Sequence, residues 1–379
     1  MDDPANDGVM RYFADLPDPR AHNVRHRLID LLVIALCATL CGAEGWDDFE
    51  DFAQAKAKWF ASFMDLKHGV PCADTFRRVF GRLDPDAFER CFLNWMQAVA
   101  TLSEGKLVAI DGKAIRRSFE RSWDKLGMAH MVSAFAQHNG QVLTQLKTDG
   151  QGGELRAIAQ LLGLLDLHGA TVSIDAGGTQ KDIAGQIIDA GGQYVLALKE
   201  NHKTLHHAVQ KELDDVIRTK GQHLAADTHR TTDADHGRIE TREVWVTEDL
   251  SWLKQADDWP GLRSVVMVEA TREAPGVGTS VERRYYLSSL PADAKLLAGH
   301  IRGHWSIENQ LHHVLDVSFR EDDSRIRRNH GPENVSRLRR VALNLLRVHG
   351  DRHTRRKSIK GRRKIAGWDH DFLLHLITG

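Results

Sequence analysis

A chain of 379 residues, 42% of them hydrophobic, is longer than one ordinary core requires, so two or three structural units are expected. The formal net charge of −1, from 51 Lys+Arg against 52 Asp+Glu, excludes a uniformly polyanionic or polycationic protein and leaves any charged face to local clustering. The longest apolar run, Leu31 to Leu40, is too short to span a bilayer, and the opening MDDPANDG has no signal-peptide pattern. Of the four cysteines, Cys37 and Cys41 lie one helical turn apart within an apolar stretch and read as reduced thiols. A zinc site would need a second ligand pair at suitable spacing, and the expected compartment is the cytoplasm.

Residues 9 to about 103 read as helices. Arg27–Gly42 is an apolar helix, and Trp46–Phe63 repeats aromatics at broadly helical spacing. Asp74–Gly81 is short and basic, while Asp84–Ala100 opens on an Asp-Pro-Asp cap signal. The turn at Gly81–Leu83 between them fits a helix-turn-helix with Thr75, Arg77 and Arg78 towards DNA. It fits a plain helical domain with solvated arginines equally well.

At Lys106 the texture changes. LVAIDGKAI (107–115) is a buried-type strand holding Asp111, and two strands flank the hairpin signal Asn139-Gly140. An amphipathic helix (152–165) leads to the strand ATVSIDAGG (170–178), which ends in Asp175. Next come a helix with Thr179 as candidate N-cap and a strand at 193–201. This order predicts a mixed sheet covered by helices. Lys199 and Lys203 follow that last strand and are candidates to reach a phosphate. From 202 to 290 a helix (Lys203–Thr219) precedes GRIETREVWVTED, RSVVMVEATRE and ERRYYLSSL, a strand-rich insertion. His236, Arg238, Glu240 and Arg242 alternate along the first of these, so Arg238 and Arg242 point one way, towards DNA, the metal site or solvent.

The stretch Ile301 to Asp323, IRGHWSIENQLHHVLDVSFREDD, organises the rest. On a helix of about 100° per residue, Ile301, His304, Trp305, Leu311, His312 and Leu315 share one face with Glu308 at its centre, and Arg302 lies opposite. Trp305 on that face reads as core packing ahead of stacking on a flipped base. Asp316, Glu321, Asp322 and Asp323 read as surface or supporting groups, with Asp316 the spare metal ligand. A helix from Pro332 to about His349 follows. Arg325, Arg327, Arg328, Arg337, Arg339 and Arg340, with the run Arg352–Lys364, make this end basic and suggest a polyanion partner. The hydrophobic ending WDHDFLLHLI is expected to dock.

Three acids are out of place: Asp111 within a strand, Asp175 at a strand end, and Glu308 on an apolar helix face. One reason fits all three, that two strands and a helix converge their carboxylates on two divalent ions. Hard oxygen ligands select Mg²⁺ or Mn²⁺. Two such ions roughly 3.5–4 Å apart serve an in-line phosphoryl displacement. A rival reading places His304, Glu308 and His312 in a zinc site on one helix, but HExxH is absent and Asp111 and Asp175 stay unexplained.

The segments FADLPDPRAHNVRHRLIDLLVIALCATLCGAEGWDDFEDFA, VAIDGKAIRRSF, IDAGGTQKDIAGQIIDAGGQYVLALKENH, HGRIETREVWV and RGHWSIENQLHHVLDVSFREDDSRIR cover nearly the whole chain. In them the sequence resembles the DDE-type insertion-sequence transposases, most closely the H-repeat-associated (ISAs-type) group. The resemblance implies a ribonuclease-H-like catalytic domain, an α/β mixed sheet with a β-rich insertion, preceded by an N-terminal helical domain. It divides the chain into residues 1–104 (helical, DNA-end binding), 105–201 (first part of the catalytic core), 202–290 (insertion), and 291–379 (second part of the core and basic tail). It places the family's acidic triad, as catalytic and metal-binding residues, on Asp111, Asp175 and Glu308. The implied activity is metal-dependent cleavage and strand transfer of DNA at terminal inverted repeats, by a homodimer when DNA is bound, in the cytoplasm at the nucleoid. Related transposases carry a tyrosine–arginine–glutamate–lysine signature, but here Ile301, His304 and Leu315 stand at the Tyr, Arg and Lys positions. Phosphate contacts then fall to His304, Arg302 or the later arginines, Arg325 and Arg327 among them. Gly177 replaces an expected bulkier residue, a change expected to affect packing more than chemistry. A DNA-binding relic without catalysis, and a nuclease that cuts without joining, are the competing functions.

Overall fold

The computed structural model describes residues 8–21, 24–99, 106–119, 128–148, 153–219, 224–235, 238–274, 276, 278–350 and 357–379. After a short turn of helix (Gly8–Phe13) come α1 (Leu28–Cys41), α2 (Trp46–Ala55), α3 (Ala57–Phe60), α4 (Ala73–Arg82) and α5 (Pro85–Val99). Helix α1 is apolar on every side and is buried from Leu31 to Leu40, as such a helix must be. Trp46, Phe49, Phe76 and Phe80 pack edge-on or tilted against one another and lock α2 to α4. No single helix among the described residues is long and apolar enough to cross a membrane.

The sheet begins with β1 (Leu107–Ala114), β2 (His130–Ala136) and β3 (Gln141–Lys147), the last two joined through Asn139-Gly140 with Gly140 at φ 68°. Next are α6 (Gly153–Leu162), β4 (Thr171–Ile174), α7 (Lys181–Asp189), β5 (Gln193–Leu198) and α8 (Lys203–Thr219). The strands β6 (Asp227–Asp235), β7 (Arg238–Thr247), β8 (Ser264–Ala274) and β9 (Gly278–Ser288) follow. Among the described residues all nine strands form one sheet, ordered β3-β2-β1-β4-β5-β9-β8-β7-β6. β1 runs antiparallel to β2 and parallel to β4, and β4 runs parallel to β5. The first five strands thus have the ribonuclease-H-like arrangement, and the insertion extends the same sheet through β9, which pairs with β5 from Val195↔Ser288 to Leu198↔Tyr285.

The chain closes with α9 (Ala294–His304), a π-helical turn (Ile307–His312), α10 (His313–Phe319), α11 (Gly331–Val348), α12 (Ile359–Trp368) and α13 (His370–Thr378). The hydrophobic ending does dock: Phe372, Leu373, Leu376 and Ile377 of α13 are buried, and α11, α12 and α13 all pack on α1.

Several expectations are corrected. The basic end is not a single surface, because Arg337, Arg339 and Arg340 are buried. Arg337 pairs with Glu89, and Arg340 pairs with Glu321 at 2.8 Å. Glu321 is fully buried rather than superficial; burial opposes its charge, yet Arg340 and Arg339 hold its carboxyl below the usual range. Arg363 is also interior, with its guanidinium 4.2 Å from the Phe319 ring centre. Thr179 does not cap α7, which begins after Gln180; its hydroxyl lies between the carbonyls of Asp175 (3.1 Å) and Ala197 (2.7 Å). His236 and residues 352–356 of the basic run lie outside the described residues.

Candidate active site

Residues 107–110 of β1 are buried, and Asp111 stands where the strand emerges from the core. The parallel register Ile110↔Ile174 makes Asp111 and Asp175 the next positions on neighbouring strands. Two carboxylates are therefore set side by side by backbone pairing alone. Asp175 ends its strand by accepting a hydrogen bond from the Gly178 amide at 3.2 Å, which caps the short turn Ala176–Gly178. A Cβ on the exposed Gly177 would meet the Asp175 carboxylate at 3.3 Å. The space at Gly177 is thus bounded by the acid itself.

The third acid arrives differently from the helical-wheel reading. Helix α9 ends at His304, and a π-turn follows, with the amide of His313 donating to the Glu308 carbonyl. The extra residue per turn changes the phase of the helix. Ile307, Leu311 and Leu315 stay in the core, whereas Glu308 turns out into a cleft. Trp305 is 47% exposed instead of core-packed, with the Arg284 guanidinium 5.0 Å from its ring centre. The same break dissolves the zinc reading. His304 turns its Nδ1 to the Ser173 hydroxyl (2.9 Å), while His312 Nδ1 lies 2.9 Å from Glu308 Oε2 and 3.7 Å from Asp111 Oδ2.

Asp111, Asp175 and Glu308 line one cleft of about 580 Å³, together with Lys199, Arg284, His304 and Trp305. Burial, and next the charge of Asp175, push the Asp111 carboxyl up to about 7. Burial lowers both His304 and His312 from the ordinary histidine range. Glu154, in the first turn of α6, adds a fourth carboxylate: a Cβ on Gly112 would collide with its Oε1. Burial and then Asp175 raise its pKa. Asp316 is not a spare ligand here, since Lys113 Nζ holds its carboxylate at 2.7 and 3.0 Å and also reaches Asp322 at 2.9 Å.

A groove of about 820 Å³ adjoins this cleft, sharing Arg284, Tyr286 and Trp305 with it. Arg238, Arg242, Arg272, Lys295 and Arg302 line it. Asp233 ties two of them, accepting from Arg242 at 3.0 Å and from Arg302 at 2.6 Å. Of the other residues singled out in the sequence, Lys203 is exposed at the start of α8 and Arg325 is exposed before α11. Arg327 sits over the Phe119 ring at 5.1 Å and donates to the Arg117 carbonyl. Arg77 and Arg78 are exposed on α4, both ion-paired to Asp74, and line neither cleft.

Sequence reasoning missed His312 and Glu154 as members of this cluster. The spacing of His312 from Glu308 is visible in the sequence, but there it suggests only the rival zinc site. Nothing in GGELR marks Glu154 apart from an ordinary acid in a first helical turn.

Comparison with known proteins agrees with this architecture. The family described as "Transposase DDE domain" matches residues 102–345, and its associated region, "DDE_Tnp_1-associated", matches residues 10–96. "Putative transposase YncI" of Escherichia coli O157:H7 is 40% identical over 345 residues, 89% of this chain and 87% of that protein. "H repeat-associated putative transposase YhhI" of Escherichia coli (strain K12) is 34% identical over 380 residues, 98% of each chain. A piggyBac transposase synaptic complex with hairpin DNA superposes with a TM-score of 0.44 at 9% identity, over 99% of this chain and 77% of that one, too distant a likeness to carry weight. With a family match over more than half its length and relatives of this extent, the chain belongs to the DDE transposases, in their H repeat-associated group.

Proposed function

We propose that the protein is the transposase of a bacterial insertion sequence, cutting DNA at the element's terminal inverted repeats and joining the freed ends to target DNA. The observation that carries this reading is the convergence of Asp111, Asp175 and Glu308 on one cleft, where among the described residues His312 but no lysine or arginine is paired to them. The donor set fits hard divalent ions: carboxylates predominate, and the raised Asp111 carboxyl marks negative charge that lacks compensation. Asp111 and Asp175 on one side, and Asp111 and Glu308 on the other, would hold Mg²⁺ or Mn²⁺, in all two ions. Such ions, when bound, activate an attacking oxygen and steady the departing one in an in-line displacement at phosphorus.

The protein's own groups do the rest. Water opens the phosphodiester at the element's end, and the 3′-hydroxyl so freed attacks a target phosphodiester, forming a new P–O bond as the target's own 3′-oxygen departs as a 3′-hydroxyl. Arg238, Arg242 and Arg302 bind backbone phosphates along the groove, Lys199 and Arg284 do so at the mouth of the cleft, and Lys203, His304, Arg325 and Arg327 extend the contact. Residues 1–104 recognise the repeat through Arg77 and Arg78 on α4. Two ends must be held together, so the working form on DNA is a homodimer, acting at the nucleoid in the cytoplasm.

The test is cleavage of a labelled duplex carrying the repeat that flanks the gene, with Mg²⁺, Mn²⁺ or EDTA. Metal-dependent cutting at the repeat end is expected, lost in Asp111→Ala and Glu308→Ala while both still bind the duplex. Binding without cutting under any metal would leave a DNA-binding relic. Cutting without joining would leave a nuclease.

A further inference from the structure

We infer that His312 is the positioning residue of this site: its Nδ1–H holds the Glu308 carboxylate over Asp111, offering it to a cation. The inference rests on the reading of the three acids as a divalent-ion site. A glutamate on an open cleft wall has three rotatable bonds, and the Glu308 side chain is 56% exposed, whereas His312 is 4% exposed and immobilised by the core. Their contact of 2.9 Å is a hydrogen bond, and the 3.7 Å from the same Nδ1 to Asp111 Oδ2 places the ring beside both acids. His312 Nδ1 and one carboxylate oxygen each of Asp111 and Glu308 all lie within 4.8 Å of one another.

The ring's other nitrogen fixes the proton. Nε2 is buried and has no hydrogen-bond partner among the described residues. A proton there would be an orphaned donor, and the bare Nδ1 would then face two carboxylate oxygens. A proton on Nδ1 avoids both penalties and makes His312 a donor to Glu308. The same fact argues against direct ligation, because a metal-bound imidazole ordinarily donates its second N–H to an acceptor, and Nε2 has none. The π-turn supplies the geometry, setting the buried His312 four residues after the cleft-lining Glu308 while Leu311 stays at 0% exposure. His312 therefore does for Glu308 what the Gly178 amide does for Asp175.

Binding of Mn²⁺, followed by the electron paramagnetic resonance of the free ion, reads this out without any turnover. Wild type is compared with His312→Ala, His312→Asn and Asp111→Ala, each checked for folding by circular dichroism and thermal melting. The asparagine amide donates from nearly the position of Nδ1. His312→Ala should weaken the Asp111-dependent ion about 10- to 100-fold, while His312→Asn stays within about threefold of wild type. Equal affinity in wild type and His312→Ala would overturn the proposal, as would a wild type with no Mn²⁺ uptake that Asp111→Ala abolishes. An asparagine variant as weak as the alanine one would also overturn it, and a direct manganese–nitrogen coupling in ¹⁵N-histidine protein would then mark His312 as a ligand. If the Mn²⁺ pattern holds but no repeat is cut, the transposase reading fails and the role of His312 stands.

Discussion

Asp111 illustrates what a single side chain can report about its surroundings. Its carboxyl is pushed up to about 7 by burial and by Asp175, well above the unfolded value near 3.8. A raised carboxyl pKa means that the folded state prefers the proton, so the associated stability is full below about pH 4 and is lost as pH rises through 7. In EDTA, Asp111→Asn should therefore stabilise the protein at pH 8, by roughly 2–4 kcal/mol, and leave it nearly unchanged at pH 4; urea denaturation at the two pH values checks this. An equal effect at both would mean that the acid is not strained by its neighbours. Asp111 and Asp175 were legible in sequence for the same reason, since an acid in or at the end of a buried strand needs a partner. Glu154 and His312 were not legible. A glutamate in a first helical turn and a histidine one turn from an acid are ordinary residues until a strand is laid beside them.

The π-turn between α9 and α10 decides which residues of the most informative stretch face the cleft. A regular α-helix through Ile301–Leu315 places Glu308 and Trp305 among the apolar residues, which is how the sequence reads. The protein instead inserts one residue and turns Glu308 outward, and Trp305, just before the turn, is exposed as well. Hydrophobic periodicity assumes a constant angle per residue, and a single-turn change of pitch is invisible to it. Deleting Asn309, which is exposed, should let the turn relax to α geometry and rotate Glu308 by about 100° relative to Leu311 and Leu315. The expected result is loss of Mn²⁺ binding and of cleavage, with helix content and melting temperature nearly kept. A deletion variant that binds Mn²⁺ normally would show that the π-turn is dispensable. The sheet was better anticipated than this helix. Its strands announce themselves by apolar runs and by the Asn139-Gly140 turn, and their pairing follows from chain order. Continuity of the insertion with β5 was not visible, because strand pairing across 80 or more residues leaves no local trace in sequence.

Across the whole molecule, the arginines of α11 show how charge can mislead. Read along the chain they form part of a basic end; folded, Arg337 pairs with Glu89 of α5, which also accepts from the Thr144 hydroxyl at 2.6 Å and the Gln145 amide at 3.1 Å on β3. One carboxylate thus ties the helical region, the sheet and α11 together. Arg337→Leu would leave Glu89 buried and unpaired, and should destabilise the protein by about 3–5 kcal/mol, with Glu89→Gln added to it restoring a large part. Denaturant titration should show one transition for wild type, since the tie joins both regions; two separate transitions would refute that coupling. The packing of α11, α12 and α13 around α1 has a further consequence for synthesis on the ribosome. The apolar helix α1 meets α2 early, but the rest of its cover comes only with the last helices of the chain. A product truncated before α11 should therefore keep α2 on α1 but expose the face that α11, α12 and α13 cover, and be cut faster in limited proteolysis than the full chain.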